Sequence, residues 1–197
     1  MKRRARCMLW WRVLHDRWQC PVRRQRWQAD VSGWCSACGW RSGVARGTTA
    51  HVFVECDEAQ RVWHWLRDVW RALTDGGELR CDARAVLSGF ALPAVRAWRS
   101  LRRLRLALFV ECFGAIADAQ EQARSKHADA AVPRSGRDVF RVAPLVLARR
   151  AVRQRAQQEF EVARVKGELA MRKFRTSWAQ RQVICSVIEA GQLQLNI

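Results

Sequence analysis

The sequence predicts a mainly α-helical protein: a small four-ligand metal-binding helical domain followed by long helices. Two observations carry this. After Cys56, apolar residues recur at spacings of three and four, and the stretches from Ala94 and beyond Pro144 repeat the pattern. Ahead of them, Cys35-Ser-Ala-Cys38-Gly39 and His51-Val-Phe-Val-Glu-Cys56 supply four soft ligands at spacings one ion can bridge.

In chain order, residues 5 to 18 place Met8, Leu9, Trp11, Val13 and Leu14 between arginines, a broad apolar helical face that Pro21 ends. Trp11 is expected in the core. A basic segment, Arg23-Arg24-Gln25-Arg26-Trp27, leads to the cysteine pair. The stretch from Trp40 to Thr49 contains Gly43 and Gly47 and reads as a loop or hairpin, with Thr48 or Thr49 capping the turn that presents His51. Asp57 and Glu58 suit a helix start, and Val62, Leu66, Val69, Trp70 and Leu73 share one face until Asp75-Gly76-Gly77 stops it. Trp63, Trp65 and Trp70 are expected to pack this helix against the first.

Residues 78 to 93 read as irregular to weakly helical, closed by Gly89 and Pro93. The long helix from Ala94 turns Trp98, Leu101, Leu104, Leu108, Cys112 and Ala115 inward, carries a stripe of Arg96, Arg99 and Arg103, and offers Gly114 as a bend. Pro133, Ser135 and Gly136 mark a linker near 126–137. After Pro144 a second long helical region alternates Arg149, Arg153, Arg164, Lys166, Arg172 and Lys173 with Ala156, Phe160, Ala163, Ala170, Phe174 and Trp178. Val183 to Ile188 ends the helical part and Gly191 to Ile197 is a tail. The division is thus 1–77, a metal-binding domain, and 78–197, a helical C-terminal region.

Cys35, Cys38, His51 and Cys56 form a Cys-Cys-His-Cys set. Such a closed shell reads as structural Zn2+, with the glycine after the CxxC allowing the tight turn that aims both sulfurs inward. Three thiolates and a neutral imidazole around a divalent ion leave one net negative charge, which Arg41 and Arg46 can offset. His15 and Cys20 have the same separation but no second CxxC to join, and His64 reads as a helix-surface residue. The other five cysteines, Cys7, Cys20, Cys81, Cys112 and Cys185, read as small core residues in a reducing, intracellular setting, nuclear or cytoplasmic.

The 197 residues carry a formal charge of +18, nearly all of it on arginine. GC-rich coding also enriches arginine and alanine, but it does not explain why acidic residues lag so far behind. A polyanionic partner, RNA or DNA, follows, with Arg23, Arg24, Arg26, Arg96, Arg99 and Arg103 as phosphate contacts and exposed tryptophans among Trp18, Trp27, Trp34 and Trp40 as stacking surfaces for unpaired bases. No membrane partner is expected: the longest apolar run, Leu106 to Ala117, includes Glu111 and is too short, and no secretory signal follows the basic start.

The run Trp11-Arg-Val-Leu-His-Asp-Arg17, then Arg26-Trp27, Cys35-Ser-Ala-Cys38-Gly39, Thr48, His51-Val-Phe-Val-Glu-Cys56 and Val62-Trp63-His-Trp65-Leu66, resembles the zinc-binding domain downstream of reverse transcriptase in non-LTR retrotransposons. The resemblance covers residues 8 to 73. It puts the family's ligands on Cys35, Cys38, His51 and Cys56. It departs in having Asp57 where the family has proline, a residue able to cap the next helix, and in a longer Cys38 to His51 interval. It implies that the chain is a C-terminal remnant of a retroelement protein, with the rest of that polyprotein as a further partner. The parent would be an RNA-directed DNA polymerase. This chain lacks paired polymerase aspartates, carboxylate clusters for two-metal nuclease or ribonuclease H chemistry, and the GxxxxGK and HExxH motifs, so no enzyme is expected. The competing reading is a zinc-stapled structural or protein-interaction module whose arginines are merely solvated.

Overall fold

The computed structural model describes residues 8–9, 11–13, 18–28, 33–35, 38, 47–87, 101–128, 143–188 and 192–197. Expectations for Cys7, His15, Trp40, Arg41, Arg46, Gly89, Pro93, Arg96, Trp98, Arg99 and linker residues 129–137 lie outside them. The protein is mainly helical. Residues 8–9 and 11–13 are helical, and Pro21–Gln25 forms a short helix, α1, with Pro21 at its first turn, where a missing N–H costs nothing. A π-helical turn spans His51–Glu55 and leads directly into α2, Asp57–Thr74. Cys56 occupies the N-cap of α2 without a side-chain bond, so Asp57 does not cap the helix. With Glu58 it lies in the first turn, where a negative charge suits the helix dipole.

Every inward position anticipated for α2 is buried, and Ala59 and Trp63 widen the same face. The helix ends where Asp75 and Gly76 adopt positive φ, 59° and 91°, and the Gly76 N–H bonds the Arg71 carbonyl at 2.9 Å. A five-residue helix, α3, covers Ala83–Leu87, its N-terminus capped by Asp82, whose Oδ1 accepts from the Ala85 N–H at 2.8 Å.

The described part of the next helix, α4, runs Arg102–Ala128. Its residues 108–117 are buried around the whole circumference, so it is the central helix of the fold. Gly114 lies inside that stretch without interrupting the helix, and the helix continues to residue 128, into the interval expected to be linker. Helix α5, Pro144–Lys166, lies along α4, and α2 packs against both. Trp63 of α2 stacks on Phe109 of α4 with centroids 5.4 Å apart, so the partners of α2 are the later helices as well as its own neighbourhood.

The second helical region is two helices, because Gly167 at φ 86°, ψ −172° separates α5 from α6, Glu168–Ser177. That backbone conformation is essentially reserved for glycine. Phe160 and Phe174 meet across the break edge to face, centroids 5.5 Å apart. The apolar segment after α6 does not simply end the chain's structure: β1, Cys185–Val187, pairs antiparallel with β2, Leu193–Leu195, in register Cys185 to Leu195. The expected tail thereby becomes a strand. One contiguous core includes Val13, Cys35, Phe53, Trp63, Phe113, Phe160, Trp178 and Ile184, and so draws on both halves of the sequence. Among the described residues no helix is long and apolar enough to cross a membrane.

Candidate metal centre

The five-residue interval from His51 to Cys56 sets the site. In an α-helix residues five apart stand about 140° apart around the axis. Here the Cys56 N–H bonds the His51 carbonyl at 2.8 Å, an i→i+5 closure whose wider turn brings the two side chains to one side. The turn starts as the sequence predicts: the Thr48 hydroxyl accepts from the His51 N–H at 3.1 Å. Gly47 precedes it in contact with Pro21, where a Cβ would fall 2.5 Å from the proline Cγ, so α1 is held against the base of the turn.

The ligand atoms of Cys35, Cys38, His51 and Cys56 all lie within 4.8 Å of one another. Cys35 Sγ is 3.9 Å from Cys56 Sγ, close to the edge of about 3.8 Å expected between two sulfurs on tetrahedral zinc. Cys38 Sγ and His51 Nε2 are 2.9 Å apart, a hydrogen-bonding distance that an ion would open to about 3.6 Å. Cys35 and Cys56 are fully buried, Cys38 and His51 partly so. The donor set, three sulfurs and one imidazole nitrogen without a carboxylate, suits a closed tetrahedral metal site.

Two further groups stand behind the ligands. The Glu55 carboxylate is 3.8 Å from His51 Nδ1, which favours the proton on that nitrogen and leaves the Nε2 lone pair facing the sulfurs. From α4 the carboxamide of Gln120, a buried polar residue, sits with Nε2 3.7 Å and Oε1 3.9 Å from Cys35 Sγ. Sequence reasoning missed Gln120. Its signal was there: 104, 108, 112, 116 and 120 form an i+4 row on α4, apolar until the last member.

Without a cation the cluster holds on to its protons. Burial, helped by the charge of Cys35, pushes the Cys38 thiol from 9.0 to about 12. Cys56 is raised by its hydrogen bond to Cys35 and by burial. The His51 pKa is raised, chiefly through hydrogen bonding with Cys35. Three thiols this close cannot all become thiolates unless a positive ion joins them.

Phe53, between the ligands, ties the turn to the fold. It stacks on Phe113 of α4 with centroids 4.1 Å apart and planes 3° apart, meets Trp18 edge to face at 4.8 Å, and its carbonyl accepts from Trp63 Nε1 at 2.6 Å. The Val54 carbonyl accepts from Gln60 Nε2. Trp63 and Trp70 are core residues, as expected, whereas Trp11 is 48% exposed and it is Val13, two residues on, that enters the core. His64 is on the surface of α2, as expected. Of the remaining cysteines, Cys20, Cys112 and Cys185 are buried and Cys81 partly so.

Four of the six predicted phosphate contacts, Arg23, Arg24, Arg26 and Arg103, lie among the described residues. Arg24 lies 3.5 Å from Glu121 of α4. Arg23 is partly buried, Arg26 and Arg103 are exposed, and Arg96 and Arg99 lie outside the described residues. No protein family, curated protein or solved structure matches the chain.

Proposed function

We propose that this protein is a zinc-binding module that contacts RNA or DNA through a basic surface, and that it derives from a retroelement, as its resemblance to the reverse-transcriptase zinc-binding domain implies. One observation carries the metal reading: a CxxC pair and a histidine–cysteine pair, 13 residues apart at their nearest, converge on a hydrogen-bonded turn until all four ligand atoms lie within 4.8 Å of one another. Three thiolates and an imidazole favour zinc over hard cations, which take oxygen ligands. The bound ion would neutralise the thiolates and fix the turn to the core; the chemistry it supplies is structural.

The nucleic-acid reading rests on the charge of +18 and on exposed Arg26 and Arg103. Arg24 is turned toward Glu121, a carboxylate it shares with Arg124, so it is less free to meet a phosphate than the sequence suggests. Metal analysis of the purified chain tests the first part: one equivalent of zinc is expected, lost in Cys38→Ser and His51→Ala. A binding titration tests the second. Log affinity should fall with log salt at a slope of about −0.9 per phosphate contact on duplex and about −0.7 on single strands. Substituting exposed Arg26 and Arg103 should weaken binding while leaving the melting curve unchanged. Absence of salt-dependent binding in a folded, zinc-loaded chain would leave the module as a structural or protein-interaction unit.

A further inference from the structure

Most tryptophans described in this protein have a place in or against its core, but Trp27 is 83% exposed. It follows α1 in a turn where its N–H bonds the Arg24 carbonyl at 3.0 Å and the next residue's N–H bonds the same carbonyl at 2.9 Å, so its backbone is held while its ring stands in solvent. Arg26 beside it is exposed, and the exposed amides of Gln25 and Gln28 flank both. From Arg17 to Ala29 the sequence has no acidic residue. Trp34, 39% exposed, is delivered to the same end of α1, because its neighbour Gly33 lies directly against the Gln25 side chain.

We infer that Trp27 is a stacking platform for an unpaired nucleobase, which makes single-stranded RNA or DNA, not duplex, the preferred ligand of this surface. The inference rests on the nucleic-acid reading above and narrows it. A single exposed ring flanked in the chain by Arg26 and Gln28 is a poor wedge for a membrane or an apolar helix, both of which need a continuous apolar face. It is well suited to a flat aromatic partner, while Arg26 meets the attached phosphate and the glutamine amides offer donors and acceptors to base edges. In a duplex the base faces are already stacked and only the phosphates remain for the arginines.

The test uses the full zinc-loaded chain with a fluorescent 15-nucleotide oligothymidine, the matching oligouridine and a mixed-sequence duplex. Trp27→Ala should weaken both single strands about ten-fold and leave duplex affinity, zinc content and melting temperature unchanged, while Trp27→Phe should retain most of the single-strand affinity. Loss on only one of the single strands would assign the platform to RNA or to DNA. Wild-type binding that Trp27→Ala leaves intact, or lowers equally on the duplex, would overturn the stacking inference while the nucleic-acid reading stood. A wild-type chain that binds none of the three probes would overturn both.

Discussion

Gln120 brings an amide from the central helix to the sulfur of Cys35, and that single contact makes the candidate metal centre a joint product of distant segments. Outer-shell donors orient a ligand and stabilise its charge, and their removal commonly costs 10- to 100-fold in metal affinity. Gln120→Leu, which keeps the volume and removes the amide, should weaken zinc about ten-fold in competition with a chelator while the metal-free melting temperature changes little; equal affinities would show that the amide is a bystander. The ligands themselves were legible because CxxC and the five-residue His to Cys interval are local patterns. Gln120 was not, since nothing local says which residue of a helix will face a site 85 positions away.

The same ligands set opposite pH dependences with and without metal. In the metal-free chain the Cys38 thiol, raised from 9.0 to about 12, stabilises the fold below pH 9 and loses that contribution as the pH climbs through 12. With zinc bound the sulfurs are already deprotonated, and stability falls instead as acid returns protons to them and to His51. Thermal melts of the two forms should therefore shift in opposite senses between mildly acidic and alkaline buffer. Parallel curves would contradict the ligand assignment.

At the scale of elements, the helix after Cys56 was readable residue by residue because one face of seven buried side chains repeats cleanly. The second long region was not: an isolated glycine inside a helical pattern leaves its effect undecided, and only the positive φ of Gly167 shows that α5 and α6 are separate. A Cβ there would meet nothing within 4 Å, so substitution probes backbone strain alone. Gly167→Ala should cost about 1–3 kcal/mol, read as a melting temperature lower by several degrees, and an unchanged transition would mean the junction relaxes into a continuous helix. The closing hairpin escaped notice because each strand has three residues, too few for alternation to stand out against the preceding helices.

For the whole molecule, the sequence suggested a metal-binding unit ending at Gly77 with helices appended, whereas one apolar core includes Phe53 and Trp63 from the first part and Phe109 and Phe113 from the second. Pairings of this range cannot be inferred from periodicity, which says which face is apolar but not what covers it. A chain shortened to residues 1–77 would expose Phe53, Trp63 and the sulfur side of Cys35. It should bind zinc more weakly than the full chain and melt without a sharp cooperative transition by calorimetry; a compact, tightly zinc-binding fragment would show that the appended helices are dispensable.

The i→i+5 closure between His51 and Cys56 has an implication for how such a protein can drift. Removing or adding one residue there would swing the last thiol roughly 100° about the local axis and shift the phenylalanine between them out of its stack. Composition in this interval is negotiable to the extent that bulk and apolarity survive, but length is not. Related chains that keep the centre should therefore show substitutions between these two ligands and never an insertion or deletion.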